Sequence, residues 1–226
     1  MIQMVAAARA TFARGPSPGA TLGHKATMSA ATSDPRWPLI TRGFVVAGGR
    51  SSRMGRDKAL LPYGESTLLD HAIAQTRRVT DDVAILAGPV RRYEGFGLAV
   101  VEDVVCGVGP LGGLYSALLS ASVDGRERIF WLAVDLPLVS ADLLSGLMNG
   151  LDRADVVMAR TERGLEPLCA AFRTEPTLAR VRRSLLQGEL KLTDALEGLL
   201  LQSIDTDPAM FLNINTFGDY ERLGRG

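Results

Sequence analysis

From residue 42 onward, short apolar runs alternate with longer segments whose apolar residues recur at helical spacing. Several of the short runs are apolar on both faces, which is typical of strands inside a covered sheet. The predicted strands are Phe44–Ala47, Val83–Ala87, Leu98–Val101, Ile129–Val134, Val156–Ala159, Leu168–Phe172 and Leu200–Ile204. The predicted helices are Thr67–Arg78, Gly112–Ser122, Ala141–Leu151 and Glu175–Leu186, with Ser140 and Thr174 as N-caps of the last two.

This alternation predicts an α/β fold, in which a doubly wound, mostly parallel sheet carries helices on both faces. Ligands of such sheets bind outside the carboxyl ends of the strands. Gly48 follows the first predicted strand, Asp103 follows the third, and Asp135 follows the fourth. We therefore expect these residues to face one crevice.

The N-terminal segment, residues 1–41, is rich in Ala, Ser, Thr, Gly and Pro and has no acidic residue before Asp34. Such a composition cannot build a core and is typical of disordered tails. The acid-poor, Arg-containing pattern also fits a transit peptide, and a start at Met28 would make the segment an upstream extension. We favour a disordered N-terminal extension over residues 1–41, followed by a single domain over residues 42–226.

Composition narrows the possible partners. Lys and Arg together number 25, as do Asp and Glu, so the net charge of zero favours neither nucleic acid nor an anionic membrane as a partner. No apolar run approaches the roughly 18 residues that a membrane-spanning helix needs. Cys106 and Cys169 lie far apart without a Cys-x-x-Cys or Cys/His cluster, which supports neither a disulfide nor a zinc site and indicates reduced thiols in the cytoplasm.

The stretch from Val46 to Lys58 reads Val-Ala-Gly-Gly-Arg-Ser-Ser-Arg-Met-Gly-Arg-Asp-Lys. Two glycines after a buried strand allow a sharp turn and leave N–H groups free to bind phosphate oxygens. The spacing matches neither a Walker A loop nor the dinucleotide fingerprint Gly-x-Gly-x-x-Gly. Together with Arg53, Arg56 and Lys58, the glycines favour a phosphate-binding loop over a simple tight turn.

Asp135 closes the most apolar run of the chain. An aspartate at a strand end either caps the next helix or binds a hard divalent cation such as Mg²⁺. Pro137 and the separate candidate cap Ser140 favour the metal. A second glycine-rich loop, Gly107–Gly113, permits close approach of a flat ligand such as a base, although many loops of this kind bind nothing.

The remaining polar candidates carry less information. From the residues alone, Asn215 is better explained as a helix cap than as a ligand of a metal or substrate. His24 and His71 have no carboxylate or nucleophile at motif spacing, and His71 is expected to pack or to face solvent. The chain has no Gly-x-Ser-x-Gly elbow, so a serine triad has no support.

The run from Val46 to Leu61 closely resembles the signature of the MobA-like nucleotidyltransferases, a family that includes the molybdenum cofactor guanylyltransferases. Further motifs follow in that family's order: Glu102-Asp103, Gly109-Pro110-Leu111-Gly112-Gly113, Asp135-Leu136-Pro137, Glu166-Pro167-Leu168 and Asn213-Ile214-Asn215-Thr216. The resemblance covers essentially everything after the N-terminal segment. Its departures are that segment and Phe217, which stands where proline is common.

The resemblance implies a Rossmann-like nucleotidyltransferase fold and a set of site residues. In that family the first glycine-rich loop wraps the triphosphate, and Mg²⁺ is the cofactor. The nucleotide-binding residues implied are Val46, Ala47, Gly48, Gly49, Arg53, Lys58, Asp103, Gly112, Gly113 and Asn215. Asp135 matches the Mg²⁺ ligand, and Arg53, Lys58 and Asp135 are the implied catalytic groups. Glu166-Pro167 resembles the acceptor-side motif of the guanylyltransferases.

The implied reaction is guanylyl transfer, in which a phosphate of molybdopterin attacks the α-phosphorus of GTP and pyrophosphate leaves. GTP and molybdopterin are then the substrates, and molybdoenzymes or cofactor-biosynthesis proteins are possible partners. A cytidylyltransferase for the same cofactor or a sugar-phosphate nucleotidyltransferase would share the loop and Asp135 and differ around Gly107–Gly113. A non-catalytic nucleotide-binding protein is the alternative from another class, and the joint presence of Arg53, Lys58, Asp103 and Asp135 argues against it.

Overall fold

Nine strands and four α-helices lie in the part of the chain that the computed structural model describes, which is residues 40–48, 57–90, 92–212, 214 and 218–220. The strands are β1 (Thr41–Val46), β2 (Pro62–Tyr63), β3 (Ser66–Thr67), β4 (Val83–Gly88), β5 (Ala99–Glu102), β6 (Arg128–Ala133), β7 (Val156–Thr161), β8 (Gly164–Arg173) and β9 (Leu201–Asp205). The helices are α1 (Leu68–Thr76), α2 (Pro110–Val123), α3 (Ala141–Gly150) and α4 (Thr174–Gln187). Short 3-10 turns span Lys58–Leu60, Glu94–Phe96, Asp194–Leu196 and Pro208–Phe211.

Seven strands form one sheet in the order β5-β4-β1-β6-β8-β7-β9, and β2 pairs with β3 in a small hairpin. The pairs β5-β4, β4-β1, β1-β6 and β7-β9 are parallel. Strand β8 runs antiparallel to both of its neighbours. The predicted α/β class with a mostly parallel sheet is therefore confirmed, with one reversed strand inside it.

Both faces of the sheet are covered, which explains why the inner strands β4 and β6 are buried and apolar along almost their whole length. Phe44 and Trp131 pack with residues of α2 and α4 on one face. On the other face Val45 packs with α1, and Phe130 packs with α3. Because side chains of a strand alternate between faces, neighbouring residues such as Phe44 and Val45 supply both cores.

The seven predicted strands and four predicted helices are all present, with ends that differ by a few residues. Ser140 caps α3 as predicted, since its hydroxyl accepts from Leu143 N over 3.2 Å. The prediction that Thr174 caps α4 is wrong, because Thr174 is the first residue of the helix and its buried hydroxyl has no hydrogen-bond partner among the residues that the structure describes. The hairpin of β2 and β3 was not predicted, since two residues a strand are too few for a periodic pattern.

Charged residues hold the amino end of β1. The Arg42 guanidinium donates to Asp82 over 3.0 Å and also to Asp124, and Arg126 donates to the other oxygen of Asp82 over 2.7 Å. These contacts lie at the end of the sheet opposite to the carboxyl ends of the parallel strands. They therefore serve the stability of the fold.

All described residues belong to one unit, Pro35–Gly226. Strand β1 begins at Thr41, one residue before the predicted domain start. The predicted N-terminal extension, residues 1–41, lies outside the described residues except for Ile40 and Thr41. Among the described helices, none is long and apolar enough to cross a membrane.

Candidate active site

The carboxyl ends of three parallel strands bring the candidate residues to one edge of the sheet. Strand β1 ends at Val46, β5 ends at Glu102, and β6 ends at Ala133. The N–H of Val134 donates to Val46 O over 3.1 Å, which joins the ends of β1 and β6. The residues that follow these strands therefore lie around a common edge, as the strand-end rule predicts.

Lys58 and Asp135 form an ion pair at this edge. The Lys58 Nζ atom donates to Asp135 Oδ2 over 2.8 Å, and the two side chains are 20% and 16% exposed. Lys58 opens the 3-10 turn after the glycine-rich stretch, whereas Asp135 follows β6. Because Ser140 caps α3, the alternative that Asp135 caps that helix is excluded. The structure thus brings Lys58 and Asp135, two of the three predicted catalytic residues, into direct contact.

The donor set at Asp135 fits Mg²⁺ that is bound jointly with substrate phosphates. Such Mg²⁺ is usually held by one or two carboxylates, with substrate oxygens and water completing the octahedron. Within the described ranges, no group of three or more His, Cys, Asp and Glu side chains could hold a metal ion. Asp135 is a single carboxylate that already attracts the Lys58 cation, so its chemistry suits a shared site and not a closed protein cage.

Backbone contacts fix the segment after Asp135. Ile214 N donates to Asp135 O over 3.3 Å, so Ile214, the one described residue of the Asn-Ile-Asn-Thr motif, lies beside Asp135. Asn215 itself lies outside the described residues.

His71 Nε2 lies 2.9 Å from Pro137 O, and its ring packs on Tyr63 with centroids 4.5 Å apart. His71 therefore has a packing role.

Gly48 is required by the protein's own backbone. A Cβ atom at Gly48 would lie 2.6 Å from Gly88 N and 2.7 Å from Gly88 Cα, at the end of β4. The N–H groups of Ala47 and Gly48 both donate to Leu86 O, over 3.0 and 2.8 Å. The prediction that the N–H of Gly48 is free to bind phosphate is therefore wrong. Any contact of Ala47 or Gly48 with a nucleotide would have to use atoms other than these N–H groups.

Two of the predicted residues in the loop, Gly49 and Arg53, lie outside the described residues. Their assignment to the nucleotide stays a prediction. The described part of the loop resumes at Asp57, directly before Lys58.

Asp103 follows β5 and lies over the start of α2. Its Oδ1 atom would be 3.5 Å from a Cβ placed on Gly113, and the indole of Trp131 would be 3.4 Å from the same Cβ. Burial raises the pKa of the Asp103 carboxyl. No donor among the residues that the structure describes contacts this carboxylate. A half-buried acceptor without a partner at this edge is suited to hydrogen-bond donors of a ligand.

The second glycine-rich loop turns into α2. Gly109 has φ of 64° and ψ of −150°, which only glycine adopts readily, and it precedes Pro110 at the helix start. A Cβ atom at Gly112 would lie 2.3 Å from Val105 O, so this glycine lets the loop pack on the helix. Gly112 and Gly113 are both buried inside α2. Their missing side chains thus accommodate protein atoms, and Gly113 leaves room for Asp103.

The Glu166-Pro167-Leu168 motif lies on β8 at the same edge, because β8 starts where its neighbours end. The pairing of β7 and β8 shifts between Met158 and Ala159, which leaves a bulge around Pro167. Glu166 Oε1 accepts from Thr161 Oγ1 over 2.9 Å. Bulges of this kind often re-aim side chains beside a site.

Burial, reinforced by Glu166, raises the pKa of the Cys169 thiol.

Sequence reasoning missed one cluster near the loop. The Asp57 carboxylate accepts from Tyr93 Oη over 2.7 and 2.9 Å and from Arg92 Nη1 over 3.0 Å. These contacts join residues 35 and 36 positions apart in a segment without periodic pattern. The position of Asp57 directly before Lys58 was the one signal available.

Comparison of the sequence with known proteins indicates the same family by two routes, a family model and individual relatives. A family model described as a MobA-like NTP transferase domain matches residues 43–199. A molybdenum cofactor guanylyltransferase of Desulfosudis oleivorans is 30% identical over 190 residues, which cover 80% of this chain and 92% of the relative.

Solved structures share the fold. Molybdopterin-guanine dinucleotide biosynthesis protein A from Archaeoglobus fulgidus has a TM-score of 0.65 at 21% identity, covering 81% of this chain and 97% of its own. A manganese complex of a Mycobacterium tuberculosis protein has a TM-score of 0.57 at 20% identity, covering 82% and 98%. At these identities the likeness shows the fold alone.

Proposed function

Because this chain belongs to the MobA-like NTP transferase domain family and is therefore a nucleotidyltransferase, we propose that it is a molybdenum cofactor guanylyltransferase. It would transfer GMP from GTP to the terminal phosphate of molybdopterin and release pyrophosphate. The relative from Desulfosudis oleivorans, which carries this name, supports the choice of substrates. The proposal includes a cytoplasmic location and partners among molybdoenzymes or cofactor-biosynthesis proteins.

The single observation that carries the proposal is the Lys58–Asp135 pair at the carboxyl edge of the sheet. Phosphoryl and nucleotidyl transfer need positioning and charge neutralisation more than covalent chemistry from the protein. A cation and a carboxylate 2.8 Å apart, at the end of a glycine-rich loop, supply both. Lys58 neutralises phosphate charge, and Asp135 offers oxygen to a divalent cation.

The reaction proceeds in line at the α-phosphorus of GTP. An oxygen of the molybdopterin phosphate forms the new bond, and the bond between the α-phosphorus and the bridging oxygen of the β-phosphate breaks. The attacking phosphate is already largely anionic at neutral pH, since its second pKa is about 6, so a protein base is not needed. Lys58 and Arg53 then stabilise the charge that develops on the leaving pyrophosphate.

Mg²⁺ held at Asp135 would add positive charge to the triphosphate. Asp135 is the described residue that would hold it, and Asn215 is the predicted neighbour. Asp103 would bind the nucleoside and not the metal. Its carboxylate accepts hydrogen bonds from donor groups of the nucleoside, for which its lack of a partner among the described residues is the supporting observation.

One assay tests the proposal. Pyrophosphate release is measured with GTP, CTP, ATP and UTP in turn, with Mg²⁺ and molybdopterin present. Preference for GTP is the expected result. Preference for CTP would replace the proposal with cytidylyl transfer, and no release from any of the four would favour a non-catalytic nucleotide-binding protein. Omission of molybdopterin is the control, because release must depend on the acceptor.

A further inference from the structure

The turn that carries Lys58 is tied to the sheet through three side chains, which we name the Asp57 anchor: Asp57, Arg92 and Tyr93. Tyr93 Oη donates to both carboxylate oxygens of Asp57, over 2.7 and 2.9 Å. Arg92 Nη1 donates to Asp57 Oδ2 over 3.0 Å. Hydrogen bonds to an ionised acceptor are shorter and stronger than neutral ones, so this carboxylate is firmly held.

Asp57 also holds the backbone of the turn. Its Oδ1 atom accepts from Ala59 N over 3.1 Å, which caps the 3-10 turn that begins at Lys58. Leu61 N closes the same turn by donating to Lys58 O over 3.1 Å. One carboxylate therefore links the backbone beside Lys58 to Arg92 and Tyr93.

The far side of the anchor is fixed to the sheet. Arg92 Nη2 donates to Ala87 O, in β4, over 3.0 Å. The guanidinium also lies 5.2 Å from the centroid of the Tyr93 ring, which packs edge-on against Phe96 with centroids 6.3 Å apart. Asp57 and Arg92 thus connect the turn that carries Lys58 to β4. Asp135 follows β6 of the same sheet.

Tyr93 has an unusual backbone conformation. Among the described residues it is the one non-glycine residue with positive φ, at 70°. A bulky side chain there is strained, and strain of this kind concentrates at functional sites. Burial, reinforced by the Asp57 carboxylate, raises the pKa of the Tyr93 hydroxyl, so the hydroxyl stays protonated and remains a donor.

We propose that Asp57, Arg92 and Tyr93 are positioning residues, which hold the Lys58 turn so that its ammonium group reaches Asp135 and the substrate phosphates. This inference rests on the proposed function and deepens it. The simpler alternative is that the cluster only stabilises the loop. The two explanations make different predictions: only a positioning role requires that loss of the Asp57 anchor lowers activity by displacing Lys58.

The first test reads the position of Lys58 without catalysis. The Tyr93→Phe variant removes the hydroxyl and keeps the ring, and Tyr115→Phe is the matched control, because Tyr115 is a buried tyrosine of α2. Lysine acylation is followed by mass spectrometry, with the exposed Lys191 as internal reference. Labelling of Lys58 relative to Lys191 should rise severalfold in Tyr93→Phe and stay unchanged in Tyr115→Phe. Unchanged labelling in both would overturn the proposal.

The second test reads turnover in a double-mutant cycle with Lys58→Ala. Tyr93→Phe should lower kcat about tenfold in the native background, with a smaller change in KM for GTP, and less than about twofold in the Lys58→Ala background. Equal slowing in both backgrounds, or kcat like that of Tyr115→Phe, would contradict positioning. A wild-type protein that is inactive with every nucleotide, while Lys58 labelling rises in Tyr93→Phe, would refute the proposed function and leave the anchor standing.

Discussion

Lys58 Nζ donates to Asp135 Oδ2 over 2.8 Å, which joins the end of the glycine-rich stretch to the end of β6 across 77 positions of sequence. The pair is mostly screened from solvent. A cation beside a carboxylate at a ligand-binding edge gives one place at which phosphates and a divalent ion can meet. The proposed chemistry depends on this juxtaposition more than on any single loop.

Replacing Asp135 should impair turnover far more than stability. We expect Asp135→Asn to lower kcat by about 10²–10³, as loss of one preorganised electrostatic group typically does. The free energy of unfolding should fall by only about 1–2 kcal/mol, because the Asn side chain keeps the shape of Asp135 and still offers an amide oxygen to Lys58. Pyrophosphate release and chemical denaturation measure the two effects.

A matched control for that variant is Asp152→Asn. Asp152 accepts from Arg128 over 2.8 Å, the same distance, and Arg128 begins β6 at the opposite end. This control should keep full turnover. If Asp135→Asn turned over as fast as Asp152→Asn, the assignment of Asp135 to the reaction would be wrong.

Asp103→Asn should weaken GTP binding. The amide keeps the size of the carboxylate and loses its charge and half of its acceptors, so we expect Kd for GTP to rise about tenfold. Calorimetric titration measures the change. Binding as tight as in the wild type would remove Asp103 from the nucleotide site.

The same substitution should stabilise the fold in a pH-dependent way. Burial raises the pKa of Asp103, so the folded state binds its proton more tightly than the unfolded state does. A carboxyl with a raised pKa costs no stability at low pH, and stability is lost as pH rises from the ordinary value of about 3.9 through the raised pKa. The Asp103→Asn variant has no carboxyl at this position and does not lose stability in this way. The excess of its free energy of unfolding over that of the wild type, measured with denaturant, should therefore grow over that pH window and then level off. An advantage that shrinks with rising pH would contradict the burial of Asp103.

Gly48→Ala should destabilise the protein, because its new methyl group would meet the backbone of Gly88 at 2.6 Å. Overpacking against backbone typically costs about 1–3 kcal/mol in the free energy of unfolding. Gly95→Ala is the matched control, since a Cβ there meets nothing within 4 Å and its φ is not positive. Equal stability of the two variants in urea would show that β1 and β4 do not approach as closely as described.

Arg42→Ala should separate stability from activity. Arg42 bridges Asp82 and Asp124 at the amino end of β1, and its loss leaves two carboxylates without this partner. We expect the free energy of unfolding to fall by about 2 kcal/mol with kcat unchanged at a temperature where the variant is folded. Thermal denaturation and pyrophosphate release measure the two. A large fall in kcat of the folded variant would show that the opposite edge contributes to catalysis.

Hydrophobic periodicity was sufficient to predict the strands and helices because both faces of the sheet are covered. The direction of β8 was not predicted, since an apolar run reads the same in either direction. The connection from Thr161 to Gly164 is short enough to join only antiparallel strands, but the predicted strand ends at Ala159 and Leu168 concealed it.

The strand-end rule brought Gly48, Asp103 and Asp135 to one edge, as the structure has them. It could not predict why Gly48 must be glycine, because the atoms that exclude a side chain belong to Gly88, 40 positions away. The contact between Tyr93 and Asp57 was missed for the same reason. Long-range contacts of single side chains leave no local pattern in the sequence.

The most direct measurement follows the α-phosphate of GTP. The protein is incubated with Mg²⁺, molybdopterin and GTP labelled at the α-phosphate, and the products are separated. We expect the label to move to the pterin product while unlabelled pyrophosphate is released, and we expect Lys58→Ala to slow this transfer. Label that is recovered in free GMP, or that remains in GTP, would contradict guanylyl transfer to molybdopterin.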